Sequence, residues 1–559
     1  MKERIVKVRP SLGAVVGVEA AAIVAVAAFP PGRFSWWPFA AIAVVAPALL
    51  LVTVHRRNFV AWVRARVHWW RTRRYAMPVG AAVDIGHGNN VYGVRVADDE
   101  AVTVIRVDGR AYEPTYLRGS TLASTRNTLP LPILVQFLDQ PGGLRLGIDI
   151  ASDGFRVRAE SGYPQLYATV LADRGAAGQR TTYLIVRLLI SESLPGLVYR
   201  RSIGSAAAAA TDRIIKALQQ EGVRAVALGA DDHDALLERL SLGLATAPER
   251  PAIVDPAADD DTDTANAETT NRAATPEKVP AGADVGWSVI NTQPGYCCTY
   301  YFSPEDITTA TFNQMWSLNS DHVLHVLRLR KNRGVVTASA LVRTNDPRPR
   351  EEPPTLFLNP LPGAQYDAAL LAAPASSPPV VLPAGPLPAD LEIAVAATGI
   401  LVGSALHDDP DGRPPVQRDD LVMLALTDPQ HPTRITMDTS DFYVRQLLIR
   451  AAAAGERITI YSRDPQRWYS VSQPNIAVVE AHRRAEFVPT IIVNDHAPTS
   501  PPVGLSSTVI TVGRPAGGSP DLLFQQTSPT TVRITTNGRV LNVGIVEFRQ
   551  EQTWTGTAA

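Results

Sequence analysis

Apolar positions begin as two unbroken runs and later turn into alternating or helical patterns. Residues 12–29 and 36–54 are almost wholly apolar, separated by Pro30-Pro31-Gly32-Arg33-Phe34-Ser35. Each run approaches the ~20 residues that a helix needs to cross a hydrocarbon core of ~30 Å. The pattern therefore predicts two transmembrane helices joined as a hairpin. Residues 58–75 contain no Pro or Gly and interleave Phe59, Trp62, Val63, Val67, Trp69 and Trp70 with five arginines. This stretch reads as a basic stalk that continues the second helix.

Beyond the stalk the periods are those of an α/β region. Residues 90–96 and 101–107 alternate as strands around Asp98-Asp99-Glu100, and 132–137 and 144–150 add two more. The β-branched run 181–190 fits a buried central strand. Residues 202–221 form an alanine-rich helix stopped by Gly222; a strand at 223–228 and a helix at 231–242 follow. Strand, helix, strand and helix in this order predict a βαβ unit with parallel strands. Residues 247–285 lack apolar periodicity and read as a disordered acidic linker. A second α/β block, 286–559, contains a proline-rich connector at 345–390. Its clearest pieces are strands at 296–302, 322–330 and 335–343, a helix at 440–454 closed by Gly455, and a hairpin turning at Asn537-Gly538. The chain thus divides into a hairpin and stalk (1–75), a first block (76–246), the linker, and the second block.

Charge orients the hairpin. Lys2, Arg4, Lys7 and Arg9 precede the first run, seven arginines from Arg56 to Arg74 follow the second, and Arg33 stands alone in the turn. The positive-inside rule places both termini in the cytoplasm. A signal peptide cleaved after Ala25-Val26-Ala27 is the competing reading, but a second run ending in basic residues follows at once. Glu19 is a carboxylate inside a span, beside the small residues Gly13, Gly17, Ala20 and Ala21. Small residues let helices approach closely in lipid, so this face suits helix–helix contact.

The net charge of −1 gives no basic excess for a nucleic-acid partner. Only five of the 53 basic residues are lysine, and none follows a glycine, which excludes a phosphate loop of the Gly-Lys-Ser/Thr kind. Cys297 and Cys298, the only cysteines, are adjacent and cannot build a zinc site at ordinary spacing. His322 and His325 stand three apart in a strand and so face opposite sides. Asp408, Asp409 and Asp411 could ligate a divalent metal, as in glycosyltransferases, but Asp-Pro-Asp-Gly also favours a plain turn. Asp231, Asp232, His233 and Asp234 read as the capped, dipole-complementing start of a helix. No catalytic, cofactor or metal constellation emerges.

The order of basic start, two spans, Arg/Trp stalk and Val79-Gly80-Ala81 leads into two further segments. SIGSAAAAATDRIIKALQQEGVRAVALGADDHD at 202–234 resembles the alanine-rich helix and following strand of the EccE family. TGILVG at 398–403 with VRQLLIRAAAAGERITI at 444–460 resembles that family's C-terminal block. The resemblance implies a membrane-complex subunit of a type VII (ESX) secretion system, beside EccB, EccC and EccD components and membrane lipid. It implies an inner-membrane protein with a degenerate glycosyltransferase-like soluble fold and no enzymatic activity of its own. Glu19, Trp62, Arg64, Arg66, Trp69, Trp70 and Arg71 are the expected contacts with partners or membrane. Two other readings compete: a membrane-anchored glycosyltransferase-like enzyme using the Asp408/Asp409/Asp411 loop, and a periplasmic binding protein released by cleavage.

Overall fold

The computed structural model describes residues 6–8, 16–20, 23–24, 44–45, 48–54, 57–247, 282–497, 508–514 and 518–556, apart from 55–56, 121, 159–162, 379, 480–484 and 537. Among the described residues no helix is long and apolar enough to cross a membrane. The two apolar runs lie mostly outside them; the described pieces 16–20, 23–24, 44–45 and 48–51 are helical. Strand Val6–Val8 pairs antiparallel with Val52–Val54, which sets the entry to the first run beside the exit of the second. A Cβ on Gly17 would meet Leu50 Cδ1 at 3.3 Å, so Gly17 lies against the helical piece 48–51.

Among the described residues the chain builds two large sheets. The first has 14 strands, and its path runs 284–285, 290–292, 295–302, 335–346, 322–332, 144–155, 179–189, 100–109, 90–97, 83–87. Its pairings are antiparallel. Both faces are covered, which explains the unbroken apolar run in the central strand Gln179–Leu189. Leu184, Val186 and Leu188 point to one core, while Tyr183 and Ile185 point to the other. Adjacent Cys297 and Cys298 divide between the same two cores, as successive strand residues must.

One core is roofed by the alanine-rich helix Ile203–Gln220. Ser202 caps it, its hydroxyl accepting from Ser205 N while Ser205 reciprocates, and Gly222 ends it at φ +75°. The other core lies under the helices Ala230–Ser241 and Gln365–Leu371.

The second sheet has 12 strands. Six of them, 434–438, 458–462, 476–479, 491–495, 508–512 and 522–528, are joined by parallel pairings. The hairpin 531–544 and strands 400–405, 421–424, 115–118 and 122–125 extend it antiparallel. Helix Asp441–Ala453 buries Val444, Leu447, Leu448 and Ile449 within this half. Its Arg450 is fully buried on Glu551 at 2.7 Å, and Tyr163 and Gln446 donate to the same carboxylate.

Several expectations need correction. Strands Gln179–Leu189 and Arg224–Ala227 do run parallel across the alanine-rich helix, but Glu100–Gly109 lies between them, antiparallel to both. Residues 132–137, read as a strand, fall on a short helix, Leu131–Gln136: Pro132 suits a first turn, and Leu131 and Leu134 are its buried side. Strand pairing crosses the boundary drawn at 247–285. His322–Asn332 lies against Leu144–Phe155, and the hairpin 115–125 edges the other sheet. Gly282 N donates to Gly243 O at 3.2 Å, so the chain leaves and rejoins one place on the first sheet. Residues 248–281, the greater part of the acidic linker, lie outside the described residues.

The proline-rich connector is not a surface tether. Arg95 Nη1 donates to Pro374 O at 2.7 Å and Arg187 Nη2 to Ala373 O at 2.9 Å. These two buried arginines hold an alanine-rich stretch whose side chains are too small to give a legible apolar period.

Candidate docking site on the stalk helix

The stalk is the helix Phe59–Thr72. It does not continue the second apolar run. Helical residues 48–51 give way to strand Val52–Val54, and Asn58 starts a new helix, its side chain accepting from Ala61 N at 2.9 Å. An Asx N-cap satisfies amides that would otherwise be orphaned, so helix initiation at Phe59 is written locally.

Trp62, Arg66, Trp69 and Arg73 fall in steps of four, three and four, and therefore share one face. That face is docked on the chain's own soluble part. The rings of Trp62 and Trp69 lie 5.8 and 5.6 Å from the ring of Trp287. The Arg66 guanidinium sits 4.5 Å from Trp69 and 4.9 Å from Trp287, and Arg73 lies 4.5 Å from Trp69. Each half-exposed cation–π contact of this kind contributes about 0.5–1 kcal/mol. Trp69 Nε1 donates to Val285 O at 3.0 Å.

Polar contacts fix the register. His68 Nε2 lies 3.0 Å from Asp367 Oδ1, Arg57 Nη1 donates to Pro362 O at 2.6 Å, and Tyr366 donates to Tyr75 O at 3.1 Å. Just past the stalk, Met77–Pro78 pairs parallel with Ala245–Thr246. The stalk is thereby seated on residues from both sides of the acidic segment.

The adjoining face is open to solvent. Phe59, Val60, Val63, Val67 and Trp70 are exposed, Trp70 at 65 %, and Arg64 and Arg71 border them. Amphipathic helices of globular proteins turn such a stripe inward. Here the aromatic–cationic face points inward and an aliphatic stripe points out.

The expected contact residues therefore separate. Trp62, Arg66 and Trp69 come together on Trp287, whereas Arg64, Trp70 and Arg71 point outward. Glu19 lies apart, exposed on the helical piece 16–20. Sequence reasoning missed Trp287 and Asp367, the receiving side; an isolated Trp where the apolar pattern resumes after the acidic segment was the available signal.

Other candidates have ordinary partners. Asp408 accepts from Arg418 N at 2.7 Å, and Asp409 and Val416 exchange backbone hydrogen bonds at 2.8 and 3.0 Å, which makes the aspartate loop a closed turn. His322 lies 3.2 Å from Asp153, while His325 stacks on Trp316 at 4.5 Å on the other side of the strand. Helix Ala230–Ser241 has Asp231 and Asp232 in its first turn, but its cap position is Gly229, and Asp84 supplies the acceptor for Ala230 N at 2.7 Å. Asp234 instead pairs with the buried Arg95. Among the described residues no group of three His, Cys, Asp or Glu could hold a metal ion.

Comparison with known proteins gives the context. The family model described as "Putative type VII ESX secretion system translocon, EccE" matches residues 176–300, which include the central strand, the alanine-rich helix and Trp287. The ESX-2 secretion system protein EccE2 of Mycobacterium tuberculosis is 26 % identical over 446 residues, 79 % of this chain and 73 % of that protein. The ESX-5 secretion system protein EccE5 of Mycobacterium marinum is 25 % identical over 363 residues, 62 % of this chain and 81 % of its own length. EccE5 of Mycobacterium tuberculosis is 25 % identical over 373 residues, with 62 % and 82 % covered.

Proposed function

We propose that this chain, which belongs to the EccE family, is a non-enzymatic structural subunit of a type VII (ESX) secretion complex of the inner membrane. The observation that carries this reading is the two-faced stalk: one side is seated on Trp287 and the other leaves an apolar stripe with arginines at its edge. Such a patch is the kind that marks an interaction site. The bare stripe, led by Trp70 with Arg64 and Arg71, is the surface for other secretion components, of the EccB, EccC and EccD types that the resemblance implies.

The two apolar runs form a membrane hairpin with both termini in the cytoplasm. The pairing of Val6–Val8 with Val52–Val54 supports this, because it puts both ends of the hairpin on one side. In the same reading Glu19 faces a neighbouring helix. A glycosyltransferase-like activity gains no support, since Asp408 and Asp409 make the hydrogen bonds of a turn.

Native purification of the full chain in mild detergent, with identification of the co-purifying proteins, tests the assignment. Other ESX membrane components are expected in the preparation, and a chain recovered alone from cells that express them contradicts it. Labelling of single cysteines in intact cells tests the topology: position 33 should react and position 250 should be protected.

A further inference from the structure

The open side of the stalk helix has a period of its own. Val60, Val63, Val67 and Trp70 follow one another at steps of three, four and three, and all four stay 45–65 % exposed. A narrow apolar stripe with this spacing is the seam of a coiled coil, with Val60 and Val67 at the a positions of two heptads and Val63 and Trp70 at the d positions. β-branched side chains at a favour pairing of two helices. A helix lying in a lipid interface instead turns a charged face to water opposite its apolar face. Here the side away from the seam is seated on Trp287.

Charge selects the partner. The helix Phe59–Thr72 holds no acidic residue. Arg64 and Arg71 take the e positions on one border of the seam; both are exposed, and neither pairs with a carboxylate among the described residues. Arg66 takes the g position on the other border, its guanidinium over the rings of Trp69 and Trp287. A second copy of the stalk would set Arg66 against Arg71 in a parallel pair, and e-position arginines against each other in an antiparallel one. Like charge therefore opposes self-pairing. The chain's own acidic segment has the complementary charge but not the seam: residues 257–275 contain no Val, Ile, Leu, Met or aromatic side chain.

We infer that the open stripe is one half of a two-helix coiled coil. The other half is an amphipathic helix of a different chain, apolar at a and d and acidic at the positions facing Arg64 and Arg71. This rests on the proposed role of the chain as a subunit of a secretion complex, and it specifies the chemistry of the partner segment. Fourteen residues give about 21 Å of seam, or two heptads. Asn58 caps the helix and Trp287 holds it, so the seam is ordered before a partner arrives, which limits the entropic cost of pairing.

The test titrates the full chain in detergent into a fluorescent three-heptad peptide with Leu at a and d and Glu at e and g. Glu on both borders keeps the peptide from pairing with itself. Saturable binding is expected, and the same peptide with Lys in place of Glu should bind at least about tenfold more weakly. Arg64→Glu with Arg71→Glu should invert that preference while leaving the seam intact. Val63→Ser with Val67→Ser and Trp70→Ser should abolish binding of both peptides. Equal binding of the two peptides by the parent chain, or none, overturns the proposal. So does quenching by brominated phosphatidylglycerol, in vesicles carrying the chain, that Trp70→Phe removes, since lipid would then cover the stripe. Co-purification separates this from the wider role. If the chain with Arg64→Glu and Arg71→Glu still brings down other secretion components undiminished, the subunit role stands and the acidic helix falls. A chain recovered alone in every form contradicts the role itself, and the inference with it.

Discussion

The two faces of the stalk helix differ in residue type and in fate. Trp62, Arg66, Trp69 and Arg73 interleave with Trp287 and hold the helix to the body. Phe59, Val60, Val63, Val67 and Trp70, on the same fourteen-residue helix, stay 45–65 % exposed. A helix that satisfies its cationic side internally and leaves its aliphatic side in the open is built to be covered from outside. The docked face makes the stalk part of the chain's own rigid structure. The bare face offers that rigid surface to something else, at low entropic cost because it is already ordered.

The largest effect should come from the bare face. The triple change Val63→Ser, Val67→Ser and Trp70→Ser should reduce recovery of partner subunits about thirtyfold or more, because an exposed Trp at an interface centre commonly carries at least ~2 kcal/mol. Quantitative co-purification measures this. The unfolding midpoint of the soluble part should fall little, since these side chains are 45–65 % exposed.

Next in size is Trp287→Ala, which removes the centre of the docked face. The half-buried stack should cost about 2 kcal/mol, below the 3–5 of a fully buried Trp. Its readout is proteolytic cleavage at Arg64, Arg66 and Arg71, protected in the parent chain and fast in the variant. If both variants behave alike, the distinction between the faces fails.

A pH experiment loosens the body without touching the bare face. His233 and His325 are fully buried, and burial lowers both from their ordinary 6.5 to about 3. The unfolded chain therefore takes up protons below pH 6.5 that the folded chain refuses until about pH 3. Stability present above pH 6.5 is lost as the pH falls through that window, by up to about 1.4 kcal/mol per pH unit for each histidine. His325→Gln, which stays neutral, should flatten the acid dependence of the unfolding midpoint. An unchanged acid limb would show that His325 is protonated in the folded chain.

The smallest effect is expected at the aspartate loop. Asn keeps the turn preference of Asp. Asp408→Asn, Asp409→Asn and Asp411→Asn together should therefore leave secretion within about twofold in a strain relying on this chain, close to the ±0.5 kcal/mol of a neutral surface change. Loss of secretion with a normally assembled complex would restore the metal-site reading.

How much of this was legible depended on sequence distance. The strands at 90–97, 100–109, 144–155 and 179–189 were readable from alternation or an apolar run. Helices 203–220 and 441–453 were readable from period and a terminal glycine, and both Gly222 and Gly455 have the positive φ that a helix stop favours. Partnership was not readable. Nothing local to His322–Asn332 says that it pairs with Leu144–Phe155 across the acidic segment. The stretch 345–390 misled because prolines flank a short helix, Gln365–Leu371, that is buried in the core, and the turn after it is held by Arg95 and Arg187 far away in sequence. At the site, the tryptophans and arginines of the stalk stood out, but their division into two faces required Trp287 and Asp367.

Photo-crosslinking in cells tests the central claim most directly. A crosslinking amino acid placed singly at positions 67 and 70, and at 62 and 69 for contrast, reports what each face touches. The account predicts that 67 and 70 yield adducts with other secretion-system chains, while 62 and 69 yield only internal links near Val285 and Trp287. Adducts with other chains from 62 and 69, and none from 67 and 70, would contradict it.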